Sequence, residues 1–165
     1  MNREQTAVPD MLVKLYNLPP LKPALVAAAR QGCVIRRGLS ADRAPTLAWV
    51  QAAFPSWVAE VEVAFANAPV TCFIAQREQA IIGFACFDAT CANFFGPTAV
   101  AEAMRGNGMG RALLLAALHA QKAQGYAYSI IGGVGPAAYY VKTVGAVVIE
   151  GSSPGIYANR APAPR

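Results

Sequence analysis

Short apolar runs separated by turn-forming residues fill the first hundred positions, and their spacing predicts both helices and strands. The adjacent β-branched residues Val34 and Ile35 indicate a strand, and apolar residues at helical spacing after Ser40, a suitable N-cap, indicate a helix. Residues 11–16 fit a strand or a helix equally well. The elements predicted in this half are helices near 23–32, 41–54 and 56–66 and strands near 33–39, 70–77, 80–90 and 93–100.

The second half alternates strands with helices, which is typical of an α/β domain with a sheet that is antiparallel early and mixed later. The longest helical pattern covers residues 108–124 and ends at Gly125. The other elements predicted here are strands near 126–132, 146–150 and 156–159 and a helix near 136–144. The domains expected are an N-terminal extension (1–32) packed on the rest, one domain over 33–160, and a disordered tail (161–165).

Composition and charge exclude several classes of protein. Of the 165 residues, 55% are apolar and 14% are charged, which is incompatible with an intrinsically disordered chain. No window holds the roughly 18 uncharged apolar residues of a membrane span. The net charge is +5, from 14 basic and 9 acidic residues, but the basic residues form no stripe that would indicate nucleic-acid binding. We therefore expect neither a membrane nor a nucleic-acid partner.

The cysteine pattern indicates free thiols. The four cysteines contain no C-x-x-C pair, so they lack the spacing of a metal site, and a chain of this length does not need disulfides. Charged residues and prolines interrupt the first 29 residues, so no secretory signal is predicted there. These features predict mostly buried thiols, no metal site and a cytoplasmic location.

A glycine-rich segment before the longest helix carries the strongest chemical signal. Residues 105–110, RGNGMG, follow a predicted strand and open the helix. The first turn of a helix has unpaired N–H groups and a partial positive charge, and glycines let a ligand approach the backbone. This combination predicts a cradle for a phosphate or pyrophosphate. The spacing fits neither a Walker A loop, which needs a lysine after its last glycine, nor a G-x-G-x-x-G loop.

The segment resembles the Gln/Arg-x-x-Gly-x-Gly/Ala motif of the GNAT N-acetyltransferase superfamily, with Arg105, Gly108 and Gly110 at its defined positions. The order of elements over 33–160 fits the family, and AAYYVKTVGA (137–146) is similar to its F-Y-x-K-x-G-F segment. The resemblance implies a GNAT fold of the α/β (α+β) class, with a central mixed, mostly antiparallel sheet of six to seven strands flanked by about four helices. It also implies transfer of an acetyl group from the co-substrate acetyl-coenzyme A to a primary amine of a small molecule or peptide.

The same resemblance assigns the residues that bind the coenzyme. In the family, the strand before the motif pairs with the pantetheine arm and the acyl carbonyl, and the amides of the glycine segment hold the pyrophosphate. The positions implied here are Thr98, Ala99, Val100, Arg105, Gly106, Asn107, Gly108, Met109, Gly110 and Arg111. Two positions depart from the family: Asn107 stands where many members have a basic residue, and Gly132 where they often have Asn.

Acetyl transfer to an amine needs a proton acceptor for the ammonium and a proton donor for the leaving thiolate. The family's general acid corresponds to Tyr140, although one extra residue before Gly145 leaves Tyr139 open. Asp88, a charge within an apolar strand, is the tentative base. The other candidates for the base are Glu60, Glu62, Glu102 and water. The single histidine, His119, is expected to be structural.

Two other functions remain open. A non-catalytic module could bind or sense acyl-coenzyme A without transferring the acyl group. Residues 130–138, IIGGVGPAA, resemble a dinucleotide-binding loop through Gly133-Val134-Gly135, with Glu150 as the acid after the next strand. Only fifteen residues follow Glu150, too few for the remaining strands of a dinucleotide fold.

We predict that the chain forms a homodimer. The high apolar content predicts large hydrophobic areas on the surface of a monomer, and the predicted strands at 146–150 and 156–159 would leave an open sheet edge. A two-fold interface would cover both. Light scattering at micromolar concentration should give twice the 17.3 kDa of one chain. A mass that stays at that of a single chain on concentration contradicts the dimer.

Overall fold

The computed structural model describes residues 8–162 and folds them around one seven-stranded sheet. Its strands are β1 (Met11–Lys14), β2 (Cys33–Arg37), β3 (Cys72–Arg77), β4 (Ala80–Phe87), β5 (Phe94–Val100), β6 (Tyr128–Ile131) and β7 (Val147–Val148). They lie in the order β2-β3-β4-β5-β6-β1-β7, and each neighbouring pair is antiparallel except β5 and β6. This mixed, mostly antiparallel sheet confirms the predicted fold class.

Helices cover both faces of the sheet. In the described part of the chain they are α1 (Leu21–Ala29), α2 (Arg43–Ala53), α3 (Val58–Ala66), α4 (Met109–Ala123) and α5 (Ala137–Val144). Helices α2 and α3 pack on β3 and β4 from one side, and α4 packs on β3, β4 and β5 from the other, with α1 against it. None of the helices formed by residues 8–162 is long and apolar enough to cross a membrane.

Strand β4 divides the core between the two helical layers. Phe84 and Cys86 pack with α2 and α3, whereas Ala85 and Phe87 pack with α4, as the alternation of side chains along a strand requires. Helix α4 is buried without a break over residues 112–118. His119 follows this run, and its Nε2 lies 2.9 Å from the Pro19 carbonyl oxygen, so it joins α4 to the segment before α1 as the expected structural residue.

The N-terminal segment is part of the sheet. We expected residues 1–32 to pack on the domain as an extension, but β1 lies between β6 and β7 and pairs with both. Met11 and Val13 are fully buried. A four-residue strand has too little periodicity to be recognised, and its partners lie more than a hundred positions away in the sequence. Residues 1–7 lie outside the described part of the chain.

Only the first two residues of β5 pair with β6, and their partners are the last two residues of that strand. Their register ends at Phe95, opposite Ile131, and β5 continues to Val100 without this neighbour. The predicted irregularity at Gly96-Pro97 is confirmed, because the ladder between β4 and β5 shifts register at the same point. A wedge therefore opens between β5 and β6.

The edge of β5 that faces this wedge has free backbone groups. The Ala101 N–H donates a hydrogen bond to the Ile82 carbonyl oxygen (2.8 Å). The backbone groups of Ala101 therefore point toward β4. Because the backbone groups of successive residues point to alternate sides of an antiparallel strand, Thr98 and Val100 face away from β4. The N–H and C=O groups of Thr98 and the N–H of Val100 are directed at the wedge, where a ligand could pair with them, whereas the Val100 carbonyl accepts a hydrogen bond from Arg105.

The predicted strand at 156–159 is wrong. Residues Gly155–Tyr157 form a 3-10 turn, and β7 is limited to two residues. The turn follows from Pro154 and Gly155, which favour a tight bend over an extended strand. It also removes one of the sheet edges behind the expected homodimer, which stays a prediction. Of the expected disordered tail, residues 163–165 lie outside the described part of the chain.

Asp10 connects the beginning of the chain to two later loops. Its carboxylate Oδ1 accepts a hydrogen bond from the Gly133 N–H (2.9 Å), and its own N–H donates to the Ser152 hydroxyl (2.8 Å). Its carbonyl accepts from the Ile149 N–H (2.9 Å). Since Asp10 is only 7% exposed, water cannot readily replace these partners.

Replacing Asp10 with alanine should lower the free energy of unfolding by about 1–3 kcal/mol, because the Gly133 N–H loses its acceptor in a buried place. Urea denaturation measures the change. The control is Asp10→Asn, which keeps an acceptor oxygen, so its free energy of unfolding should fall clearly less. Equal stability of wild type and Asp10→Ala would show that the hydrogen bond to Gly133 does not hold the loop.

Candidate active site

Two adjoining cavities lie in the wedge between β5 and β6. The smaller has a volume of about 380 Å³ and extends toward the beginning of α4, and the larger has a volume of about 1050 Å³ and extends toward α3 and the C-terminal turn. The residues that line both are Phe95, Thr98, Pro136 and Tyr140. The two cavities therefore meet beside these four residues.

The glycine-rich segment, predicted to be a phosphate cradle, reaches the smaller cavity at both of its ends, Arg105 and Gly110. Gly108 precedes α4 with φ +83° and ψ 0°, a left-handed conformation that favours glycine. The first main-chain hydrogen bond of the helix runs from the Ala112 N–H to the Gly108 carbonyl (3.0 Å). The N–H groups of the turn before Ala112 thus need partners from outside the helix, and an anion such as a pyrophosphate suits them.

Two side chains brace this loop. Arg105 Nε donates to the Val100 carbonyl (3.2 Å) and so ties the loop to the end of β5. Gln31, which follows α1, donates from Nε2 to the Asn107 carbonyl (2.9 Å). Sequence reasoning missed Gln31, because nothing near it in the chain shows that the end of α1 lies beside the glycine loop.

Half of the ten predicted coenzyme-binding residues line the smaller cavity, and the others lie next to them in the chain. Those that line the smaller cavity are Thr98, Ala99, Val100, Arg105 and Gly110. The cradle itself consists of Gly106, Asn107 and Gly108. The side chain of Met109 is buried in the core, so only its backbone can face a ligand, and Arg111 is exposed on the first turn of α4.

Tyr139 and Tyr140 are neighbours on α5 in different surroundings. Tyr140 lines both cavities and is 8% exposed, whereas Tyr139 lines only the smaller one and is 38% exposed. Their rings pack edge to face, 5.1 Å between centroids. Burial raises the pKa of Tyr140 to about 12, and the neighbouring Tyr139 adds to the effect. The Tyr140 hydroxyl is therefore protonated at neutral pH and can serve as a donor where the cavities meet.

Tyr139 lies away from the place where the two cavities meet. Burial also raises its pKa, but a hydrogen bond with Thr143 and the charge of Arg111 act in the opposite direction. Its hydroxyl lies 3.6 Å from where a Cβ on Gly110 would be, so it faces the cradle instead of the junction of the cavities.

Asp88, the tentative base, is not brought to either cavity. Its carboxylate accepts a hydrogen bond from the Asn93 N–H (2.7 Å), and its backbone has φ +50°. It thus closes the turn between β4 and β5, a common use of aspartate at positive φ. The apolar residues before it suggested a buried charge, but β4 ends at Phe87, so Asp88 already belongs to the turn.

Glu60 lines the larger cavity from α3. Its Oε1 accepts a hydrogen bond from the Thr90 hydroxyl. Among the residues between 8 and 162 that line the two cavities, Glu60 is the one with a carboxylate. It was considered from the sequence as a candidate base, but its helix shows no pattern that separates it from Glu62, which pairs with Arg43 away from the cavities (3.5 Å).

A close contact between Gly132 and Tyr157 forms the far wall of the larger cavity. A Cβ on Gly132 would lie 2.6 Å from the Tyr157 hydroxyl and 3.0 Å from the Phe94 ring, so only glycine permits this approach. Gly132 stands where the family often has Asn. The C-terminal turn therefore occupies space beside the backbone that a longer side chain would need.

The glycine loop at 133–135 does not belong to a dinucleotide site. Gly133 and Gly135 line the larger cavity, but the sheet has a single parallel pair, whereas a dinucleotide fingerprint belongs to a mostly parallel sheet. Within residues 8–162, no group of three or more His, Cys, Asp or Glu side chains could hold a metal ion.

Comparison with known proteins agrees with this geometry. Residues 68–146 match the family model of the acetyltransferase (GNAT) domain. No curated protein matches the chain in sequence. Among solved structures, the chain resembles the GCN5-related glucosamine N-acetyltransferase region of a fungal multi-domain GH3 beta-N-acetylglucosaminidase, with 14% identity and a TM-score of 0.73 over 88% of this chain and 20% of that one.

Two bacterial structures share the fold. A GCN5-related N-acetyltransferase from Sphaerobacter thermophilus is 20% identical, with a TM-score of 0.65 over 87% of this chain and 49% of that one. The corresponding protein from Kribbella flavida is 12% identical, with a TM-score of 0.55 over 87% and 55%. The chain thus spans from a fifth to just over half of the length of these structures. Residues 68–146 thus match the GNAT acetyltransferase domain, and the chain shares the fold of these three structures.

Proposed function

We propose that this protein is an N-acetyltransferase that moves the acetyl group of acetyl-coenzyme A to a primary amine by direct attack in a ternary complex. The observation that carries the proposal is the position of Tyr140 in the wall of both cavities. A donor in the smaller cavity and an acceptor in the larger one would meet at its hydroxyl.

The smaller cavity suits the donor. The free amides before Ala112 would hold the pyrophosphate, and the free backbone edge at Thr98 and Val100 would pair with the pantetheine arm. Arg105 adds a positive charge at the rim. When bound, acetyl-coenzyme A supplies an acetyl group on a thioester, which a neutral amine can attack.

The transfer requires one proton to leave the amine and one to reach the sulfur. The amine nitrogen forms a bond to the acetyl carbon, the carbon–sulfur bond breaks, and its electron pair stays on the sulfur. Tyr140 donates its proton to this developing thiolate, and the proton that the acylated nitrogen then loses restores the phenol. Since its pKa is raised to about 12 by burial, the hydroxyl is available in the protonated form throughout the neutral range.

The cysteines support direct attack over an acyl-enzyme. Cys33, Cys72 and Cys86 are buried, and burial raises the pKa of Cys86 well above its ordinary value. Cys91 is exposed, but its pKa is also raised, chiefly by partial burial. Since none of the four lines either cavity and a thiol reacts as its thiolate, no cysteine is placed to form a covalent intermediate beside Tyr140.

A thiol-release assay tests the proposal. The protein is incubated with acetyl-coenzyme A and, in turn, polyamines, amino acids, aminoglycosides and peptide N-termini, while calorimetry measures coenzyme binding separately. Release of coenzyme A that depends on an amine supports the transferase. Binding without release for every amine would instead indicate a non-catalytic acyl-coenzyme A-binding module.

Gly108→Val should abolish binding of acetyl-coenzyme A detectable by calorimetry, because the side chain would displace the cradle from its left-handed conformation. Gly125→Val is the matched control. Gly125 follows the other end of α4 with φ +103°, so both variants carry a similar strain of about 1–2 kcal/mol. Wild-type affinity in Gly108→Val, or equal loss in both variants, would contradict the pyrophosphate assignment.

Tyr140→Phe keeps the ring and removes the proton donor. We expect kcat to fall about 100-fold, with little change in the affinity for acetyl-coenzyme A. Tyr139→Phe is the matched control and should retain most of the activity. If activity survives in Tyr140→Phe and is lost in Tyr139→Phe, then Tyr139 is the acid.

A further inference from the structure

The larger cavity holds two opposite charges on an otherwise apolar and neutral wall. Within the described residues that line it, the charged side chains are Glu60, on α3, and Arg160, in the C-terminal segment. Neither takes part in a salt bridge with another described residue. The cavity thus offers one anionic and one cationic group to whatever enters it.

The surroundings of Glu60 suit a positively charged group of a ligand. Glu60 is half-buried and accepts a hydrogen bond from the Thr90 hydroxyl, and the apolar residues Trp57 and Val63 line the same cavity. A carboxylate forms a stronger hydrogen bond with a charged donor than with a neutral one. An ammonium group is the cation that the proposed reaction brings into this cavity.

The wall beside Glu60 is an aromatic surface held in one orientation. Trp57 stacks on Phe54, with ring centroids 4.9 Å apart, and contacts Phe84 edge to face at 6.5 Å. Across the cavity, Ile156 is 56% exposed and faces the same space. A ligand with an apolar body can cover both surfaces, and the volume of about 1050 Å³ exceeds what a short alkylamine would fill.

Tyr157 lines the larger cavity together with both charged residues. Burial raises the pKa of its phenol most, the carboxylates of Asp10 and Glu60 raise it further, and Arg160 lowers it. Since Glu60 and Arg160 line one cavity, a single molecule that fills this cavity could contact both.

We propose that the acceptor is a zwitterionic primary amine with an apolar body, such as an amino acid with an apolar side chain. Its ammonium binds Glu60, its carboxylate binds Arg160, and its side chain packs between Trp57 and Ile156. This inference rests on the proposed function. Glu60 takes one proton from the ammonium, which leaves the nitrogen lone pair free to attack the acetyl carbon. Polyamines are disfavoured, because a second ammonium would meet Arg160.

The test compares kcat/KM for L-phenylalanine, L-phenylalaninamide and spermidine in the thiol-release assay. Wild type should use L-phenylalanine about tenfold better than its amide and spermidine least. Arg160→Gln should lower kcat/KM for L-phenylalanine about tenfold and leave that for the amide within about twofold, because only the first acceptor has a carboxylate. Arg43→Gln is the control for loss of a positive charge elsewhere.

Glu60→Gln should lower kcat/KM about 100-fold for every acceptor, whereas Glu62→Gln, on the same helix but outside the cavity, should leave it unchanged. The affinity of acetyl-coenzyme A should stay the same in both. An unchanged preference for L-phenylalanine over its amide in Arg160→Gln, or spermidine as the best acceptor, overturns the inference.

Calorimetry separates this inference from the proposed function. L-Phenylalanine is titrated into wild type, Arg160→Gln and Glu60→Gln, each saturated with coenzyme A. Weaker binding in both variants supports the acceptor site even if no thiol is released, in which case the proposed function alone fails. Equal or undetectable binding in all three proteins overturns the acceptor site independently of catalysis.

Discussion

The separation of β5 from β6 is the constraint on which the rest of the site depends. A sheet normally satisfies the backbone groups of its strands through their neighbours, and a strand that loses a neighbour must find other partners or face water. Here β5 keeps β4 along its length but loses β6 after Phe95. The result is an edge of β5, at Thr98 and Val100, that no strand pairs with. Because β4 holds the other edge of β5, this surface is more precisely placed than a mobile loop would be.

Both cavities follow from this separation. The free edge of β5 forms a wall of the smaller one, and helix α5, which begins after β6, brings Tyr140 to the line where the cavities meet. Were β6 paired with β5 as far as Val100, the main-chain groups at Thr98 and Val100 would be occupied.

Local chemistry explains which parts could be predicted from the sequence. The cradle depends on glycines within six consecutive residues, and the helix after it has a strong periodic pattern, so both were predictable. Glu60 could not be singled out from the sequence, because Thr90, its hydrogen-bond partner, lies thirty positions later. The strand predicted over residues 156–159 failed because apolar residues after Pro154 and Gly155 suit a strand by composition but adopt a turn that closes a cavity. Long-range packing decides such cases.

The placement of β1 has a consequence for how the molecule assembles. Met11 pairs with Ile131 on one side and with Val148 on the other. Strand β1 therefore cannot pair until residues more than a hundred positions later in the chain are in place. Contacts between distant positions slow folding, because a long loop must close before they form. During synthesis, Met11 and Val13 remain exposed until β6 has left the ribosome. A chaperone that binds apolar segments would find its target there, and the sheet would close around β1 as one of its last steps.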